Sequence, residues 1–88
     1  MKEETKDLKS LAEEALELVD WTKYSANEDF VWVDRVRFGN KVKFSVGGKF
    51  YPEIDVPIHK PENEIRDWIR EKVESLLPEW KQSWKSLS

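Results

Sequence analysis

Hydrolytic or group-transfer chemistry needs a nucleophile beside a base, and this sequence offers few ways to build that pair. Histidine, the side chain best suited to proton transfer near neutral pH, occurs once, as His59 in a stretch bracketed by Pro57 and Pro61. Asp55 lies close by in sequence, but a lone loop histidine reads first as a solvated one. Seven serines are scattered along the chain, and none sits in a Gly-x-Ser-x-Gly turn. Gly48-Lys49 is followed by Phe50 and has no glycine five residues before Gly48, so the phosphate-cradling loop pattern is missing. Glu13 and Glu17 share a helix face without any partner cluster for a metal. With no cysteine, thiolate ligands and disulfides are excluded. The expectation is a chain that is not an enzyme, with no catalytic residues, no cofactor and no metal.

Recognition chemistry is better represented. Arg35, Arg37, Lys41 and Lys43, together with Tyr51, alternate along one stretch, and basic groups interleaved with an aromatic on a sheet can hold single-stranded nucleic acid. Against that, Glu53 and Asp55 fall where they would neutralise two of the lysines, and a pI near 5.2 with a net charge of −3 gives no global pull on phosphate. A second candidate surface suits a protein partner. It combines a long apolar edge strand (Val31, Val33 and Asp34) with a C-terminal stripe of Trp80, Trp84 and Leu87 at i, i+4, i+7, a typical hot-spot composition. The favoured expectation is a small non-catalytic protein-interaction module: an adaptor, an inhibitor or a self-associating accessory protein. Nucleic-acid binding by the sheet is the alternative.

The elements that must position these groups follow from periodicity. Leu8, Leu11, Ala12, Ala15, Leu18 and Val19 recur at helical spacing, predicting a helix over about 5–24, with Leu16 and Trp21 flanking the stripe. Thr5 or the acids Glu3, Glu4 and Asp7 suit its N-terminus. Residues 1–28 hold four Lys against eight Asp/Glu, whereas 29–58 is +1 and 59–88 is neutral. Three runs of alternating apolar residues predict strands at about 29–38, 41–47 and 49–56, separated at Gly39-Asn40 and Gly47-Gly48. Taken at face value, all three bury their even positions, including Phe30, Trp32, Phe38 and Ile58. Three-residue turns then set Val36 opposite Phe44, Val42 opposite Ile54, Lys43 opposite Glu53 and Lys41 opposite Asp55. Pro52 marks the third strand as an edge.

Asp34 breaks this scheme, because it would place a carboxylate inward between Trp32 and Val36. Three explanations stand open. A bulge could reverse the parity and turn Phe30 and Trp32 outward, an inward charge could blunt an edge strand, or the acid could contact a ligand.

Beyond the sheet, Pro61 is read as the first residue of a helix over about 61–77, with Glu62 and Glu64 in its first turn. Ile65, Trp68, Ile69, Val73, Leu76 and Leu77 form its stripe, and Pro78 is expected to end or kink it before a short helical tail at about 79–87. The whole is one α+β domain over 1–88, α-β-β-β-α, a three-stranded antiparallel meander in order 1-2-3 with both helices on one face. That order is similar to that of double-stranded RNA-binding domains. The likeness stops at the order: where that family's second helix opens with a lysine cluster, this one opens Pro61-Glu62-Asn63-Glu64, and the family's Gly-Pro-x-His loop is missing. The longest apolar run, Phe30 to Val33, is far short of the about 20 residues that span a bilayer, and the Lys/Glu-rich N-terminus has no signal-peptide pattern. The expected setting is cytoplasmic, with no membrane contact.

Overall fold

The computed structural model describes residues 7–24 and 26–87. Helix α1 spans Leu8–Leu18 and is capped by Asp7, whose carboxylate accepts from the Ser10 backbone N–H at 2.8 Å. That hydrogen bond, followed by a side-chain one from Ser10, holds the Asp7 carboxyl below its ordinary 3.8. Thr5, the other proposed cap, lies outside the described residues. The helix ends earlier than its periodicity suggests. The chain turns extended at Val19 and re-enters a single 3₁₀ turn at Trp21–Tyr24. Breaking there lets both Val19 and Trp21 enter the core, and the Trp21 indole N–H donates at 3.1 Å to the Leu16 carbonyl, which also accepts the Val19 backbone N–H at 3.3 Å. Leu16 and Trp21 are therefore core residues rather than flanks, while Leu18 is exposed.

Strands β1 (Val31–Arg37), β2 (Lys41–Val46) and β3 (Glu53–Asp55) form one antiparallel sheet in the order β1-β2-β3. Between β2 and β3 the expected register holds at Val42–Ile54, Lys41–Asp55 and Lys43–Glu53, and a three-residue turn at 47–49 returns the chain to a bridge between Val46 and Phe50. In β1 the register shifts between Val33 and Arg35. Asp34 is the extra residue of a β-bulge, so parity reverses there. Val31 and Val33 are buried, whereas Trp32 and Phe38, expected inside, are exposed. Val36 consequently lies opposite Val42 rather than Phe44. Phe30 stays half-buried, and Ile58 is exposed because the strand has ended by Asp55.

Helix α2 runs without a break from Glu62 to Ser86, through Pro78. Pro61 precedes its first residue, and its carbonyl accepts from Glu64 and Ile65 at 3.0 and 2.9 Å. Pro78, expected to end or kink the helix, does not end it. It lies at an exposed position, so the lost N–H disturbs the ladder away from the core, while Leu77 and Trp80 keep the buried stripe continuous. Both helices share one core with the inner sheet residues Val31, Val33, Val42, Phe44, Val46 and Ile54. Arg66 of α2 reaches Glu14 of α1 at 3.6 Å, so part of the acidic face of α1 is used between the helices. Among the described residues no helix is long and apolar enough to cross a membrane.

Candidate functional site

The outer face of the sheet gathers every residue of the basic candidate surface. Charge pairing then divides them. Arg35 Nε lies 3.3 Å from Asp34, Arg37 reaches Glu53 at 3.4 Å, and Lys41 is paired with Asp55. The Asp55 hydrogen bond raises the Lys41 amine above its ordinary 10.5. Lys43 faces Glu53 in register, yet Glu53 goes to Arg37, and the Lys43 amine instead sits 5.8 Å from the centre of the Tyr51 ring. Lys49, in the turn, lies 5.6 Å from the centre of a Trp84 ring. Among the described residues, Lys43 and Lys49 are the cations of this region that no carboxylate holds.

The bulge adds an aromatic to this face that alternation alone puts inside. Trp32 is 47% exposed and pairs across the strands with Ser45, while Tyr51 is 49% exposed and its hydroxyl donates to the Gly48 carbonyl at 3.1 Å. Trp32 also lines an open cleft of about 450 Å³, whose other lining is apolar at Ala26, Phe30, Gly47 and Trp84 and polar at Asn27, Asp29 and Lys81.

The protein-binding candidates are dispersed. Val31 and Val33 point into the core, so only the backbone edge of β1 and the exposed Asp34 remain at the surface. Trp80 is a core residue at 3% exposure, with its ring 5.4 Å from Phe44. Trp84 is half-buried, edge-on to Phe30 at 5.3 Å, and Leu87 alone of the stripe is exposed. Because α2 continues through Pro78, spacing of four residues keeps both tryptophans turned toward the sheet.

Phe38 is the surface aromatic the parity scheme hides. It follows β1 directly, has φ +54°, and is 77% exposed, with the Arg37 guanidinium 4.9 Å from its ring centre. Gly39 beside it, also at positive φ, shares the rim of a hollow of about 280 Å³ with Ile58 and Lys60. The sequence signal was present in Gly39-Asn40: a turn of residues 38–40, one position earlier than assumed, removes Phe38 from the strand. Among the described residues no three of His, Asp and Glu come together as a metal would require, and His59 is exposed. No protein-family model, curated protein or solved structure matches the chain.

Proposed function

We propose that the chain is a small non-catalytic protein-interaction module that docks a partner protein at the β1–β2 turn, with Phe38 as the anchor. The observation that carries this reading is Phe38 itself. A left-handed conformation costs a bulky L-residue about 1–2 kcal/mol, and glycine or asparagine would occupy the position more comfortably. Burial does not offset that cost, since the ring stands in solvent. Stacking by Arg37 returns only about 0.5–1 kcal/mol at an exposed site. A large apolar side chain held outward at a net loss to the fold is what a binding anchor looks like. The Arg37 guanidinium that stacks on the ring is itself held by Glu53, so the complementary surface is chiefly an apolar pocket.

The test is Phe38→Asn. Asparagine tolerates the left-handed backbone, so the variant should melt at the same temperature or a few degrees higher, by about 0.5–1 kcal/mol. Immobilised wild-type chain should retain a host protein that the variant does not. A lower melting temperature would make Phe38 a structural part of the hairpin, and unchanged retention would move the docking surface elsewhere.

A further inference from the structure

A buried hydroxyl without a partner lies on the outer face, away from the core. Ser45 is 1% exposed, and its Oγ makes no hydrogen bond. Buried polar atoms are ordinarily paired, so an orphan one marks a place where something else supplies the partner. Ser45 sits between two aromatics. Trp32 is its neighbour on β1, and the hydrogen bonds from Phe44 to Pro52 and from Val46 to Phe50 set Tyr51 opposite it beyond β2. The row across the sheet is thus ring, hydroxyl, ring.

Both rings reach toward Gly48. The outer end of the Trp32 indole would lie 4.0 Å from a Cβ placed there, and the Tyr51 hydroxyl binds its carbonyl. Their backbones stand on alternate strands, roughly 10 Å apart, which leaves room for one planar ring between them if they stand upright. Each ring is about half exposed, so either can swing without leaving the core open.

We propose that the Trp32–Ser45–Tyr51 row is a base-stacking site for single-stranded nucleic acid. A base stacks on Trp32 and Tyr51, its edge accepts from or donates to the Ser45 hydroxyl, and Lys43 and Lys49 take the flanking phosphates. Charge selects this occupant. The other cations of the face are already held by carboxylates, and the two that are not lie beside this row and its turn. Glu13 and Glu17 on α1 and Asp20 just beyond it are exposed and repel a polyanion from the helical side, so approach is directed to the sheet. A duplex hides its bases and would not fit. The site is separate from the Phe38 anchor, which lies six residues along β1, roughly 20 Å away.

Fluorescence anisotropy with a labelled short oligo-U or oligo-dT and the full chain tests this. Binding is expected at low salt, without competition from a duplex of equal length. Two phosphate contacts give a slope of log K against log salt of about −1.4, and Lys43→Gln and Lys49→Gln should each reduce it by about 0.7. Trp32→Leu and Tyr51→Leu keep Ser45 covered but remove the flat face, and each should weaken binding at least about fivefold with an unchanged melting profile. Phe38→Asn should bind like the wild type. Absence of binding at low salt would overturn the proposal. So would binding that both leucine variants retain in full, which would be polyanion attraction alone, or binding lost with Phe38→Asn, which would move the contact to the protein-docking turn.

Discussion

Gly47 is the residue on which three elements converge. Its N–H donates to the Phe30 carbonyl at 2.6 Å, its own carbonyl receives the Trp84 indole N–H at 3.4 Å, and its φ is +62°. A Cβ there would lie 2.1 Å from Trp84 Nε1, inside the ring's own space. Gly48, also at positive φ, has nothing nearer than the Trp32 ring at 4.0 Å. The two glycines therefore differ in kind. Gly48→Ala meets only the left-handed penalty of about 1–2 kcal/mol, whereas Gly47→Ala must also displace Trp84, for about 2–4 kcal/mol in all. Urea unfolding of the two variants should show the larger loss at Gly47, together with a changed near-ultraviolet signal from Trp84. Equal losses would mean that Trp84 moves aside freely. The Gly-Gly pair marks a turn in the sequence. Which glycine is irreplaceable does not show there, because the atom that forbids a side chain belongs to a residue 37 positions away.

At the scale of elements, one inserted residue decides which side of the sheet each β1 residue faces. On either side of Asp34 the pairing with β2 is regular: Val31, Trp32 and Val33 meet Val46, Ser45 and Phe44, and Arg35, Val36 and Arg37 meet Lys43, Val42 and Lys41. Removing Asp34 would join these halves into an uninterrupted ladder with the inward residues unchanged. The deletion should fold with stability within about 1 kcal/mol of the wild type. It should also self-associate, since β1 is at an edge and a bulge is one of the devices that keep edges from pairing. Size-exclusion chromatography with light scattering, run beside a thermal melt, checks both parts; a monomeric or unfolded product would give Asp34 another role. The same bulge explains what could be read beforehand. β2 and β3 alternate without interruption, so their faces and mutual register follow from residue type. In β1, Phe30, Trp32, Val36 and Phe38 share a parity with Asp34, and the single acid is the local sign that the parity cannot all be inward. Whether it sits at a bulge depends on β2, which local pattern does not describe. Pro78 misleads for the opposite reason: its local effect is strong, but the core contacts of Leu77 and Trp80 on either side outweigh it.

Across the whole molecule, stability rests on a core that both chain halves complete together. Leu11, Ala12, Ala15, Leu16, Val19 and Trp21 come from the first third, and Ile65, Ile69, Val73, Leu77 and Trp80 from the last, around the inner face of the sheet. Lys81 donates to the Tyr24 carbonyl at 3.1 Å and Tyr24 to Glu74 at 3.4 Å, fastening the 3₁₀ turn to the far half of α2. The C-terminal turns are therefore part of the fold and not the separate short helical tail expected at about 79–87. Trp80 fills space against Phe44 at the centre of the sheet. Replacing it with alanine leaves a cavity between α2 and β2 and should cost about 3–5 kcal/mol, a large part of the about 5–15 kcal/mol that holds such a domain together. The urea midpoint should fall by more than about 1 M, and far-ultraviolet circular dichroism should lose α1, α2 and the sheet in one transition. Leu87→Ala, at the exposed end of the same stripe, should stay within about 0.5 kcal/mol of the wild type. If Trp80→Ala instead melts α2 beyond Pro78 and leaves the remaining signal at its original midpoint, the last two turns are an independent unit after all, and Trp80 and Trp84 return to consideration as a contact surface.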